Sequence, residues 1–327
     1  MNRQYIISLT ALLLLTCGCT NRQEDEEVCP SDRRIGVSAC LTAPIGNTRT
    51  AVSANPYMGT TPSMDNVLEA SVWFSEESGT YANTGDEATF PRHSRILFNS
   101  SGTAYPYSDV LQYPESGTVY CVGLYPYSES EWTNTDASGA ASNTHASHVI
   151  DGSQDLMFAS QIEGTWANRF ETLAFTHQLT WLKINVIAED KNAISSWGDV
   201  TDITVTSPGN KLTVDLSTGT ASCNSTPTVI KAFEGSSALK ITTQQLGSVF
   251  CAPATSYNIS VTTVNGGVKN LGNIVLKQDD ETTPVPDAAY AIGKMFVITL
   301  NFKSFSMVDA ACSLSVWEDM YQTIEGN

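Results

Sequence analysis

Leu173-Ala174-Phe175-Thr176-His177-Gln178-Leu179-Thr180-Trp181-Leu182-Lys183-Ile184-Asn185-Val186 is the most telling stretch of this 327-residue chain. Leu173, Phe175, Leu179 and Trp181 hold the odd positions, as one face of a strand does when side chains alternate with period two. Beyond Trp181 the apolar residues move to the even positions Leu182, Ile184 and Val186. A change of face inside an extended segment demands a bulge, a bend, or a strand buried on both sides. The segment therefore reads as lying near the end of one sandwich and running towards the next. The polar stretch Glu189 to Asn192, with Trp197-Gly198 just beyond, supplies a boundary.

The same alternation recurs on both sides of this stretch. Phe296, Ile298, Leu300 and Phe302 share a face, and Cys312, Leu314 and Val316 repeat the pattern. Leu212, Val214 and Leu216 run into a Ser217-Thr218-Gly219 turn. Tyr257, Ile259 and Val261 lead to Asn265-Gly266-Gly267, with Val268 onwards as the hairpin partner. Few windows sustain a helical period, and Gly, Ser, Thr and Asn punctuate nearly every run. Many short strands between turn residues predict an all-β chain of sandwich architecture. The length suits two domains, placed here at 35–188 and 196–327. Ser75 to Arg92 and Ser128 to Asp155 read as loops, the second as a mobile one.

The front of the chain is of a different kind. Arg3 precedes an apolar run, Ile6 to Leu15, that closes on Thr16-Cys17-Gly18-Cys19. Such a run is too short to span a bilayer stably and reads as a signal peptide over 1–18. Cys19, behind the small Gly18, is the expected lipid-attachment residue; Cys17, behind Thr16, is the weaker choice. Residues 19–34 form a tether whose Glu24-Asp25-Glu26-Glu27 run is a solvated spacer on composition alone. Nothing apolar beyond it is long enough to cross a membrane, so the lipid is the expected anchor. The net charge of −17 argues against nucleic acid, whose binding needs clustered cations, and against docking on anionic lipid. It also makes copies repel one another. Cys29, Cys40, Cys121, Cys223, Cys251 and Cys312 remain; an oxidising route permits disulfides, but spacing gives no connectivity. Cys40, Cys121 and Cys312 lie within apolar alternation, as small buried residues do.

Catalytic signatures are missing from the sequence. It has no Gly-x-Ser-x-Gly elbow, Walker phosphate loop, His-Glu-x-x-His or Cys-x-x-Cys pair. No enzyme activity, cofactor or metal is expected. His145, His148, Asp151 and Asp155 have metal-like spacing but sit in a Ser/Asn-rich loop that offers no rigid second shell. His177 reads as a buried histidine bonded to a backbone group. Scattered carboxylates give no sign of the convergent pair that sugar hydrolysis requires. Arg49 stands in the turn-rich Pro44-Ile45-Gly46-Asn47-Thr48-Arg49-Thr50, a suitable target for a trypsin-like protease, with Arg33-Arg34 as the rival site. Trp132 and Trp166, in loop-like segments, are candidate platforms for sugar rings.

The order of the segments carries a resemblance. Thr48-Arg49 follows the strand-like Ile35 to Leu41. Then come Tyr105-Pro106-Tyr107, Tyr113-Pro114, Val119-Tyr120-Cys121-Val122, Leu124-Tyr125-Pro126, Asp155-Leu156-Met157-Phe158-Ala159 and Phe175-Thr176-His177-Gln178-Leu179. Ala291-Ile292-Gly293-Lys294-Met295-Phe296 and Val316-Trp317 close the series. From Ile35 to Trp317 this succession resembles the fimbrillin-like family of Bacteroidales surface pili, and the acidic run resembles the signal that sends lipoproteins of such bacteria to the outer leaflet. The resemblance implies two tandem transthyretin-like Greek-key β-sandwich domains on an exported, outer-membrane lipoprotein. It also implies a pilus assembled by strand donation: an Arg-specific maturation protease cuts after Arg49, Ile35 to Leu41 leaves, and a strand of another pilin subunit fills the groove. The candidate donor here is Ser313 to Ile324, with Leu314, Val316, Trp317, Met320 and Ile324 as its apolar residues. Glu318 to Asn327 alternates poorly, since Tyr321 breaks the register; that suits a tip or anchor subunit, or a relative that does not polymerise. The alternative is a lipid-anchored, outer-surface module that binds a glycan or a host protein.

Overall fold

A computed structural model describes residues 33–41, 68–81, 90–98, 104–106, 111–127, 132–304 and 307–315. The described chain begins with β1 (Ser38–Leu41), β2 (Leu68–Ser75), β3 (Arg92–Phe98), β4 (Ala104–Pro106) and β5 (Val119–Tyr125). It continues through β6 (His145–Val149), β7 (Met157–Gly164), β8 (Thr172–His177) and β9 (Thr180–Ala188). A short helix α1 (Lys191–Trp197) leads to β10 (Val200–Ser207), β11 (Lys211–Asp215), β12 (Thr220–Cys223) and β13 (Thr228–Ser237). Then follow β14 (Gln244–Cys251), β15 (Ser256–Thr263), β16 (Gly267–Val275), helix α2 (Ala288–Ala291), β17 (Met295–Phe302) and β18 (Val308–Ser315). The protein is all-β, as the alternation predicts.

Four sheets result, ordered β1-β8-β7-β5-β2-β3-β4, β13-β10-β15-β16, β12-β11-β6 and β14-β9-β17-β18. The two four-stranded sheets bury a common core that includes Ile184, Val186, Val205, Ile259, Ile298 and Leu300. They meet edge to edge where β13 lies against β14 and β16 against β18. The seven-stranded sheet is buried on both faces. Trp73, Val122 and Leu124 point into the large core, which also holds Val214 of β11 and Ala146 of β6. Val72, Phe74, Val119 and Cys121 point the other way into a second, smaller core. Neighbouring residues on β2 and β5 thus serve different cores, as period-two alternation requires.

The sheet changes just ahead of the change of face, which itself marks the start of β9, where Thr180, Trp181 and Leu182 are buried on both faces. β8 ends at His177 and β9 starts at Thr180, and Gly293 N donates to Leu179 O between them at 2.9 Å. β8 pairs with β7 and β1, whereas β9 pairs with β14 and, in parallel, with β17. The boundary at 188/196 falls on α1, whose N-cap Asp190 accepts from Ala193 N at 2.7 Å. Three pairings cross that boundary: β9 pairs with β14 and β17, and β6 pairs with β11 from Lys211↔Val149 to Asp215↔His145. The segment read as a mobile loop is ordered over 132–155. It forms a hairpin with bridges Thr133↔Ser147 and Thr135↔Ala141, then donates β6 to the three-stranded sheet. Polar composition concealed β6 because hydroxyls and imidazoles satisfy its half-buried face, as Ser147 Oγ does with Thr213 Oγ1 at 2.8 Å.

Cys40 also departs from expectation. Val37 and Ala39 take the inward face at the edge of the seven-stranded sheet, so Cys40 points to solvent. Cys121 is buried and Cys312 half-buried, and the five described cysteines are unpaired. Burial pushes the Cys121 thiol well above its ordinary range.

Candidate strand-acceptor site

Residues 33–41 are built into the fold by two successive pairings. Their first part runs antiparallel to residues 111–113: Ile35 N donates to Leu111 O at 2.7 Å and Tyr113 N to Arg33 O at 2.8 Å. Arg34 and Gln112 form the bridge between them. The second part, β1, turns to β8 and pairs with it in parallel, with Ser38↔Thr172 through Leu41↔Phe175 in register. Ser38 Oγ and Thr172 Oγ1 add a 2.8 Å bond. The segment is therefore a wedge that passes from 111–113 to β8, pairing with each along a different stretch. Without it, two rows of backbone groups lose their partners, and each row can accept an extended chain.

Side chains of the wedge alternate as the backbone demands. Val37 and Ala39 are buried in the smaller core with Leu173 and Phe175, and Ile35 is packed against its edge. Gly123 of β5 lets Phe175 lie flat there, since a Cβ at that position would stand 2.5 Å from Phe175 Cζ. Tyr113 closes the slot from the other side. Its ring is buried, its hydroxyl accepts from Phe170 N at 3.1 Å, and burial outweighs that bond to push its pKa up to about 12.

The entrance of the slot carries an arginine clamp. Arg33 Nε and Nη2 both donate to Tyr113 O, at 2.8 and 2.6 Å, and Nη1 reaches Glu115 Oε1 at 3.3 Å. Its guanidinium carbon lies 5.5 Å from the centroid of the Trp166 ring. Arg169 Nη1 donates to Arg34 O at 2.7 Å, while its guanidinium lies over Tyr113, 6.0 Å from the ring centroid. A tight turn, in which Thr165 N donates to Asn168 O at 2.6 Å, sets Trp166, Arg169 and Phe170 around the entrance. Tyr113, Glu115 and Arg169 carry no direct sign of this role in the sequence; the Tyr-Pro pair at 113–114 is the only local hint.

The predicted site residues fall in three groups. Cys19, Arg49, Val316, Trp317, Met320 and Ile324 lie outside the described residues. Leu314 belongs to β18, where it pairs with Phe296 and is half-buried against the large core. The rival cleavage site Arg33-Arg34 is engaged, its two carbonyls accepting from Tyr113 N and Arg169.

The remaining candidates are occupied elsewhere. His145 and His148 face different neighbours: His145 Nδ1 meets Thr144 Oγ1 at 2.9 Å, and His148 lies edge-on to Trp132 with centroids 4.9 Å apart. Asp151 binds Ser153, and Asp155 pairs with His177 Nδ1. No group of three His, Cys, Asp or Glu suited to a metal occurs among the described residues. His177 thus has a carboxylate partner where a backbone partner was expected, because loop 150–156 folds back onto the end of β8. Trp132 is buried, with Nε1 donating to Pro126 O at 2.9 Å, so it offers no platform for a sugar. Trp166 is half-buried and one part of it lies beneath Arg33.

The chain belongs to the fimbrillin-like family, whose sequence profile matches residues 58–303. Its fold is similar to that of a candidate cell adhesion protein from Bacteroides uniformis, at 16% identity and a TM-score of 0.55, over 88% of this chain and 100% of that one. A candidate cell adhesion protein from Bacteroides ovatus is similar at 13% identity and a TM-score of 0.51, over 88% and 99% of the two chains. No curated protein matches the chain.

Proposed function

We propose that the protein is a cell-surface subunit of a pilus, structural or adhesive in role and without catalytic activity. The observation that carries this reading is the wedge at 33–41, a short edge segment whose loss leaves two backbone rows, at 111–113 and at β8, without partners. Membership of the fimbrillin-like family supports the same role. In this reading Cys19 carries the acyl anchor at the outer membrane, and an Arg-specific protease cuts after Arg49. The wedge then departs, and a strand of another subunit takes its place along 111–113 and β8. The two parts of the chain, with β9 belonging to the later one, act as successive units along the fibre. Engagement of both carbonyls at Arg33-Arg34 favours Arg49 as the cut.

Limited digestion of the soluble form, Thr20 onward, with an Arg-specific protease tests this. A single cut after Arg49, followed by ladders that survive detergent on an unheated gel, is expected. A resistant monomer, or cuts scattered through several loops, would instead favour a binding lipoprotein that does not polymerise. For the anchor, Cys19→Ala is expected to abolish acyl labelling and membrane association while Cys17→Ala preserves both.

A further inference from the structure

The clamp at the slot entrance says what kind of strand the slot takes. Most contacts of the wedge are made by its backbone and would accept any extended chain: those to Leu111, Tyr113, Arg169 and β8. Arg169 in particular grips the wedge at a carbonyl, that of Arg34. Selectivity must come from side chains, and four of them point at the slot in alternation. Arg33 is followed at intervals of two by Ile35, Val37 and Ala39, the last two buried. The side chains of this row shrink along it, from a half-buried Ile through a buried Val to a buried Ala.

Arg33 is met by three groups that suit a cation and little else. A peptide carbonyl takes a forked pair of donors, which a guanidinium provides and an uncharged side chain does not. The Trp166 ring presents π electrons 5.5 Å away. The Glu115 carboxylate stands at 3.3 Å and would repel an acid. Each group is exposed enough to be modest alone, yet all three act on one position.

We infer that the slot selects its occupant by a basic side chain placed two residues ahead of three alternating apolar residues of decreasing size, so that the strand filling it comes from a different protein. This rests on the reading of 33–41 as a replaceable strand. A second copy of this chain supplies the wrong chemistry. The candidate donor Ser313 to Ile324 contains no Lys or Arg, and its charges are Glu318 and Asp319. The nearest basic residue before it, Lys303, is held by Asp309 in the β17–β18 turn. An acidic strand brought to this entrance meets Glu115 where a cation is called for. Repulsion between chains of net charge −17 acts in the same direction.

The test uses the full soluble chain with a site for a sequence-specific protease inserted between Gly46 and Asn47, so that release of the wedge does not depend on Arg49. After cleavage, uptake of fluorescent peptides is followed by anisotropy. The peptide of residues 32–41 is expected to bind, and its Arg33→Gln form about tenfold or more weaker, from loss of a charge-assisted hydrogen bond and a cation–π contact. The 313–324 peptide is expected to be weaker still. A 311–324 peptide bearing Cys312→Arg and Glu318→Ala, which puts a cation two residues ahead of an apolar row begun by Leu314 and Val316, is expected to regain affinity. Glu115→Arg in the protein should narrow the gap between the native 32–41 peptide and its Arg33→Gln form. If the Arg33→Gln peptide binds within twofold of the native one, the clamp confers no selectivity and the inference fails while the replaceable strand stands. If 313–324 binds as tightly as 32–41, the occupant is a second copy. If no peptide enters, the wedge is a permanent strand and both readings fall.

Discussion

Val37→Ala gives a direct measure of how firmly the wedge is held. Val37 is only 7% exposed and belongs to the smaller core that also holds Leu173 and Phe175. Removing two methyls at about 0.8 kcal/mol each forfeits about 1.6 kcal/mol of transfer free energy, with little added for a cavity because an edge segment can settle inward. The loss falls on local opening, since Arg33–Ile35 and β1 flank Val37 and must come away with it. Cleavage at Arg33-Arg34 requires that opening, because both carbonyls are bonded in the closed form. When reclosing is fast relative to cutting, the rate follows the open population, so about 1.6 kcal/mol becomes about fifteenfold faster cleavage. The assay is Arg-specific digestion at low protease in an Arg49→Gln background, so that the wedge stays tethered, sampled over time and mass-mapped at Arg33 and Arg34. Cys40→Ala is the control: it lies on the same strand but points to solvent, and is expected to cut at the native rate. Equal rates for Val37→Ala and Cys40→Ala would show that the wedge is held by its backbone bonds alone, and the reasoning from side-chain burial would be refuted.

Three further outcomes are expected. Gly123→Ala forces a Cβ to 2.5 Å from Phe175 Cζ and 3.3 Å from Ala159 Cβ, and overpacking should lower stability by about 1–3 kcal/mol in urea unfolding; an unchanged midpoint would mean that Phe175 moves freely. His177→Ala leaves Asp155 as a nearly buried carboxylate, whose other oxygen already lacks a hydrogen bond, and should cost about 3 kcal/mol. Removing both partners together should recover part of that loss, and a fully additive double variant would argue against the pairing. Bonds from Thr283 and Thr282 hold the Asp280 carboxyl down at about 2. A depressed folded value means that the support this carboxylate gives its turn is complete above the ordinary value of about 3.9 and is lost as pH falls through about 2. A carboxyl NMR titration should place its midpoint there, and a midpoint near the ordinary value would remove the turn bonds from the argument.

Strand existence was legible in the sequence wherever one face was apolar. Phe296 to Phe302 and Tyr257 to Val261 alternate cleanly because each strand buries a single face in one core. β6 was hidden for the opposite reason, its buried positions being Ala146, Ser147 and His148, which satisfy the sheet by small size and hydrogen bonding. At the slot, Arg33 was visible only as a rival cleavage point. Its role depends on Tyr113, Glu115 and Trp166, whose positions in the chain carry no mark of their meeting.

By itself the sequence determined the all-β class, the places where strands end, and the change of face after Trp181. These are local properties, written in a period of two and in turn residues. Only the tertiary structure decided that β8 and β9 enter different sheets, that β6 joins β11, and that residues 33–41 form a wedge paired in parallel with β8. Strand partners are chosen by the summed fit of whole faces and backbone rows from distant parts of the chain. Ser38 meets Thr172 from a distant part of the sequence, and no local pattern specifies that contact.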